Sequence, residues 1–288
     1  ASFVNDRVLL SGGLSRIRVS NSQFNNLTNA YSQNEYSVTQ DLKQYGIVVK
    51  PLPKVSLFYG YNEGFAANAP AGGAPVPPRL AKQKETGLKT EQLNDRLVIS
   101  VSYFEANQTN NSVPSFPFNG TNILIPGVVS RGFDGEFSFA VDKNWYLMGS
   151  FADYKAKAPS QPSNASFPQP GNGQIMSEIP VDNVAEQTFS LFGRYAFTEG
   201  TFKGLDISIG GEYQSKRAVT DNANQTFFGY IPSRTLVNAY VNYRHGKIRY
   251  SLNVDNVLNT DYWYSARSVN VVLPGTPTNV KVAIAYDF

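Results

Sequence analysis

The residue types that carry most enzyme chemistry are nearly missing from this chain. Its 288 residues include one histidine, His245, and no cysteine. A thiol nucleophile, a thiolate metal site and a disulfide framework are therefore excluded. A zinc or haem site would have to be assembled from carboxylates or tyrosines around one imidazole. A Ser-His-Asp relay would have to use His245, which stands beside Gly246 in a tight-turn sequence without a nearby serine or carboxylate pattern. A solvated turn residue is the better reading. We read no enzyme, no catalytic residue, no metal site and no cofactor.

The charged residues are patterned instead. Lys281, Asp287, Lys247, Arg249, Asp255, Arg194, Asp206, Glu212, Asp134 and Glu136 alternate in sequence with apolar neighbours, which puts them on one face of strands whose other face is hydrocarbon. The last residues show the pattern most clearly. Val280, Val282, Ile284, Tyr286 and Phe288 fall on one side, and Asn279, Lys281, Ala283, Ala285 and Asp287 on the other. An arginine or lysine facing lipid at mid-bilayer costs about 2–4 kcal/mol, so consistent placement of charge on one face reads as a polar interior rather than as a site. Such charges would pair between strands, line a channel or touch a plug.

The elements that would carry this pattern are short strands. We read about twelve, joined alternately by tight turns and by long Pro- and Asn-rich loops, with all 17 prolines outside the strand windows. The tight turns are at Pro51-Leu52-Pro53, Asn94-Asp95, Asp142-Lys143-Asn144, Thr198–Gly204 and His245-Gly246. The long loops are Ala66–Leu80, Asn107–Gly127, Ala156–Val181, Ala218–Ser233 and Val257–Thr278, with another polar stretch over Asn21–Asn34. Sorting of connections by length is a property of outer-membrane β-barrels, which have short periplasmic turns and long outer loops. Aromatics near the strand ends suit their interfacial girdles.

Composition agrees. Charged residues make up 16% and aromatics 13%, and no run approaches the roughly 20 apolar residues of a spanning helix. A barrel strand needs only about 9–11 residues, half of them facing a polar lumen, which is compatible with the mean hydropathy of −0.29. The net charge of +3 comes from scattered basic residues, so nucleic acid is excluded as a partner. No secretory signal is visible at Ala1, so an exported protein would start at this residue only in its mature form or as a piece of a longer chain.

Specific blocks sharpen the reading. VDNVLNTDYW (Val254 to Trp263) resembles the penultimate-strand signature of TonB-dependent outer-membrane receptors, and PGTPTNVKVAIAYDF (Pro274 to Phe288) is similar to the lead into their final strand. Lys50 to Phe65, Lys84 to Lys89, Asn94 to Asn110 and Ser130 to Phe151 follow the same family in order, with Lys50 to Lys89 most like its siderophore-receptor branch. The resemblance implies an all-β transmembrane antiparallel barrel in the bacterial outer membrane, with residues 1–288 as the C-terminal part of a 22-stranded plugged barrel. It implies uptake of a ferric siderophore or a similar large nutrient, powered by the TonB system through a plug domain that is not in these residues. Tyr286 and Phe288 would be the signal read by the barrel-assembly machinery. The ligand would first meet the loop aromatics Phe116, Phe118, Phe167, Phe227, Phe228, Tyr230, Tyr262, Trp263 and Tyr264, whose competing role is packing between loops. Without a plug, the chain alone is expected not to perform gated uptake. A self-contained twelve-stranded pore or translocator, and a soluble adhesive β protein, stay open at this point.

Overall fold

The computed structural model describes residues 2–21, 24–25, 30–31, 36–68, 76–114, 122–160, 177–221, 226–268 and 271–287. Twelve long strands run through them: β1 (Val8–Asn21), β2 (Tyr36–Leu52), β3 (Val55–Ala66), β4 (Arg79–Gln92), β5 (Leu97–Thr109), β6 (Val129–Ala140), β7 (Trp145–Ser160), β8 (Gln187–Ala196), β9 (Leu205–Gln214), β10 (Arg234–His245), β11 (Ile248–Asp255) and β12 (Asn279–Tyr286). Each pairs antiparallel with its sequence neighbours, and Ser2–Phe3 extends the sheet beyond β1. The sheet is open, and β12 and Ser2–Phe3 are its edges among the described residues.

The register aligns the apolar rows across strands. Leu57, Leu88, Val101, Gly135, Phe151, Phe189 and Tyr213 form one transverse row. Further along the sheet, Ile207, Val241, Leu252 and Val282 form another. Most of these large side chains are exposed, including Leu57, Phe151, Phe189, Ile207 and Val282. A face of exposed hydrocarbon on every strand has no place in water and fits lipid.

The opposite face pairs its charges. Lys281 bonds Asp255 at 2.9 Å, Arg244 bonds Asp287 at 2.9 Å, Arg234 approaches Glu212 at 3.6 Å, and Arg194 binds Asp206. The Ser102 hydroxyl donates to Asp134. Lys247 departs from the expected facing. It lies in the turn after β10, and its ammonium sits 5.9 Å from the ring of Tyr286, on the apolar side. A turn residue is released from strand alternation, and a long lysine stem can lean over an aromatic face.

The connections sort by length as expected, and the short ones are chemically distinct. Leu93, Asn94 and Asp95 all adopt positive φ between β4 and β5. Gly204 turns the chain back at φ 91°, with the carbonyl oxygen of Arg244 occupying the space that a Cβ would need. Asp142 Oδ1 accepts the backbone N–H groups of Asn144 (2.7 Å) and Trp145 (2.8 Å). The N–H of Trp145, then that of Asn144, holds the Asp142 carboxyl below the usual carboxylate range. A depressed folded pKa means stability that is fully present above the unfolded value of about 3.9 and is lost as pH falls through the lower folded value. Asp142→Asn is expected to keep the acceptor and remove that acid dependence, whereas Asp142→Ala removes both. Acid titration of unfolding for the two variants separates the cases.

Two further features differ from the sequence reading. Pro51 lies inside β2 and Pro159 inside β7, because the strands run past the expected windows. Pro51 falls where the pairing register with β3 shifts, between Val49 and Leu52, so it interrupts a ladder that is already broken there. The long loops also carry structure of their own. Arg217–Asp221 pairs with Thr226–Ile231, Trp263–Ser268 with Val271–Pro274, Asn111–Pro114 with Asn122–Ile125, and Ser177–Pro180 adds to β7. Their apolar alternation is only a few residues long and is masked by surrounding Asn, Gly and Pro.

Candidate functional site

The tightest packing among the described residues is in these outer loops and not in the sheet. Val219, Ile231 and Ala266 form a buried apolar cluster, with Ala266 at 0% exposure. It joins the 217–231 hairpin to the 263–274 hairpin. Polar clamps complete the joint. Arg217 is 6% exposed, and its guanidinium donates to the carbonyl oxygens of Trp263 and Tyr264, each at 2.6 Å. Burial lowers the guanidinium pKa, and nearby Arg234 adds to the effect. Bonding two carbonyls at once uses the planar fork that only arginine supplies.

Asn183 secures the same joint from a third segment. Its side-chain amide accepts the N–H of Ala266 at 2.9 Å and donates to the carbonyl of Ala266, imitating a neighbouring strand. Its own N–H reaches the carbonyl of Ala218 at 2.9 Å, and Asp182 accepts the N–H of Thr220 at 3.0 Å. The residues after β7 and both hairpins are thus one unit.

A second asparagine knits the loop base. Asn256 is buried, accepts the N–H of Thr260 at 2.9 Å, and donates to the carbonyls of Thr260 and Thr276 at 3.0 and 3.1 Å. Asn183 and Asn256 both take positive φ, 57° and 52°. Both stand third in the tetrapeptide Val-Asp-Asn-Val, at 181–184 and 254–257. An asparagine tolerates the left-handed conformation and can bond backbone with both halves of its amide. The repeated tetrapeptide was the available sequence signal for Asn183. Arg217 and Arg234 carried none that separates them from other basic residues.

The unit holds several of the expected aromatics. Phe227 and Tyr230 meet edge to face at 5.0 Å, with the Lys216 ammonium 4.2 Å from the Tyr230 ring. Phe228, Trp263 and Tyr264 are exposed, although the carbonyls of the last two are clamped. Tyr262 is different. Its half-buried ring lies under Arg234 at 4.7 Å and fills the space beside Gly275, and its hydroxyl accepts the N–H of Thr276 at 3.3 Å. Phe116, Phe118, Phe167 and Phe288 lie outside the described residues. Tyr286 ends β12. His245 stacks on Tyr243 at the opposite, short-turn end.

The family model for the TonB-dependent receptor-like β-barrel matches residues 2–257. The chain belongs to this family. A TonB-dependent receptor barrel lies in the bacterial outer membrane, so the apolar face of the sheet meets lipid and the charged face lines the lumen. Among curated relatives, the metal-pseudopaline receptor CntO of Pseudomonas aeruginosa is 24% identical over 94% of this chain and 36% of its own length. The ferric-pyoverdine 358 receptor of Pseudomonas putida is 22% identical over 84% of this chain and 28% of its own. The chain therefore spans about a third of the length of the curated relatives it matches. Among solved structures, the pyoverdine outer-membrane receptor FpvA of Pseudomonas aeruginosa superposes with a TM-score of 0.77 at 18% identity, covering 100% of this chain and 41% of that one. The ferric preacinetobactin receptor BauA of Acinetobacter baumannii gives 0.73 at 21% identity, with the same coverage. At these identities the structures show a shared fold.

Proposed function

We propose that residues 1–288 form the C-terminal barrel portion of a TonB-dependent receptor that takes up a metal bound to a small-molecule chelator, a ferric siderophore or a comparable complex. The observation that carries this reading is the clamped loop unit, which holds the exposed rings of Phe227, Phe228, Tyr230, Trp263 and Tyr264 at the long-loop end of the sheet. Flat apolar faces beside Lys216 suit a large complex that carries anionic ligand groups around its metal. The named ligands of the relatives, metal-pseudopaline and ferric pyoverdine, are of this class.

The partial-barrel reading is supported by the open sheet. Two unpaired edges in a bilayer leave backbone groups without partners, which is strongly disfavoured, so strands from outside these residues would complete the wall. That weighs against a closed twelve-stranded pore. The plug, and with it the contact to the energising TonB system, would belong to the rest of the receptor, and Tyr286 with Phe288 would serve recognition by the assembly machinery.

In the intact receptor, changing Phe227, Tyr230 and Trp263 together to alanine is expected to weaken chelate binding about tenfold or more, since aromatic anchors dominate such sites. Titration with the metal complex, followed by quenching of protein fluorescence, reads the effect. Unaltered affinity in a folded variant would remove these rings from the site.

A further inference from the structure

The hairpin formed by Trp263–Ser268 and Val271–Pro274 is finished on one side only. Its first strand is held from within. Arg217 takes the carbonyls of Trp263 and Tyr264, the Asn183 amide takes both backbone groups of Ala266, and Val219 and Ile231 pack with the Ala266 side chain. Its second strand lies on the far side of the first and, among the described residues, pairs with nothing else. Val271, Val272 and Leu273 are 44%, 39% and 41% exposed. Side chains alternate along a strand, so three in a row bare both of its faces as well as its outer edge. The hairpin belongs to an outer loop, beyond the wall strands, so lipid does not account for this hydrocarbon.

The pairing inside the hairpin is also irregular. Its register shifts between Trp263 and Ser265 and again between Ala266 and Ser268. Two strands alone are marginally stable, and these shifts leave less to hold the outer one. An apolar strand with a free edge is a template for a further strand. Position names the occupant. The hairpin lies in the connection from β11 to β12, and β12 is an open edge of the sheet. β12 runs from the long-loop end at Asn279 to the short-turn end at Tyr286. A strand added antiparallel to it runs the opposite way, and its continuation emerges at the long-loop end beside residues 271–274. The chain spans about a third of the length of its curated relatives, which leaves ample sequence for such a segment.

We propose that in the intact receptor the outer edge of Val271–Pro274 is covered by an extended apolar segment of the same polypeptide, the outer loop that follows the wall strand paired with β12. This inference rests on the partial-barrel reading. The added strand bonds the free backbone edge and covers Val271, Val272 and Leu273, and Pro274, with no N–H to donate, marks the end of that edge. It ties the clamped loop unit, and the rings that unit carries, to the wall on the other side of the seam where the sheet closes.

The test uses the intact receptor in native outer membranes. Residues 1–288 contain no cysteine, so a substituted one reports alone within them. Val272→Cys is expected to react with a membrane-impermeant maleimide about tenfold more slowly than Leu124→Cys, although Leu124, in another loop hairpin, is as exposed here, at 40%. A benzophenone side chain introduced at Val272 is expected to cross-link to receptor residues outside 1–288. Equal labelling rates overturn the proposal, as does a cross-link to a second copy or to another protein. Protection that appears only once a ferric hydroxamate is added marks a chelate contact and also overturns it. Amide exchange over 271–274 reads the same cover in the unaltered receptor: it is expected to be as slow as over 263–268, and fast exchange overturns the proposal. A native product no longer than 288 residues removes the partial-barrel reading and the proposal together, whereas a longer product that labels freely at Val272→Cys removes the proposal alone.

Discussion

Val282→Arg is expected to destabilise the folded barrel by about 2–4 kcal/mol, whereas Lys281→Arg, one residue away, is expected to be nearly neutral. Val282 is 74% exposed, pairs with Leu252, and shares its face with Val280 and Ile284 near the middle of β12. In the membrane that exposure is contact with lipid, and a guanidinium there must thin the bilayer or leave the strand. Lys281 points into the lumen, where its ammonium meets Asp255 at 2.9 Å with both groups largely in water. An arginine in that place keeps the pair, and the pair itself contributes at most about 1 kcal/mol. Urea titration of the intact receptor folded into vesicles gives both values. A neutral Val282→Arg together with a costly Lys281→Val would reverse the assignment of the two faces.

Arg217→Ala is expected to undock the outer loops while leaving the wall intact. Two hydrogen bonds from a charged group to the carbonyls of Trp263 and Tyr264 would be lost, along with the side chain that fills the joint. At about 1.5–3 kcal/mol for each such bond, the docking equilibrium should shift by roughly 3 kcal/mol, and amide exchange across 263–268 should rise about a hundredfold. Exchange in β9 and β10 should not change. Arg217→Lys should restore only part of the protection, because one ammonium cannot span two carbonyls as the fork does. If the protection of 263–268 stays as it was, Arg217 does not hold the hairpins together, and the aromatic rings it orders must owe their placement to Asn183 and the apolar cluster.

The wall was legible in the sequence because its signal is repeated. Alternation in β9, for example, sets Ile207 and Ile209 against Asp206 and Ser208, and the same two-residue period on each neighbour fixes the register. The blocks from Val254 to Trp263 and from Pro274 to Phe288 carried the family, and the structure gives part of the physical reason. Asn256 and Asn259 bond Thr260, Thr276 and Thr278, and Tyr262 packs beside Gly275, so the motif is the fastening of the last loop. The loop hairpins were not legible. Ala266 meets Val219 and Ile231, and also Asn183, only because separate loops converge, and no local period announces a contact between residues 83 positions apart. The aromatics of those loops were visible as a class, but their division into exposed rings and the structural Tyr262 depended on Arg234 and Gly275 arriving from elsewhere in the chain.

Every long strand except the edge strand β12 pairs with the strand before it and the strand after it, and the short turns all fall at one end. Such a wall can lengthen or shorten its circumference only in units of a hairpin. Duplicating or deleting two strands joined by a short turn preserves the up-down direction of all the others, the side on which each loop emerges, and the inside-outside alternation of every side chain. A single added strand would send the remainder of the chain out on the wrong side of the membrane. The meander therefore makes the hairpin the inheritable unit of this architecture, and it leaves the long loops free to be exchanged without re-registering the wall beneath them.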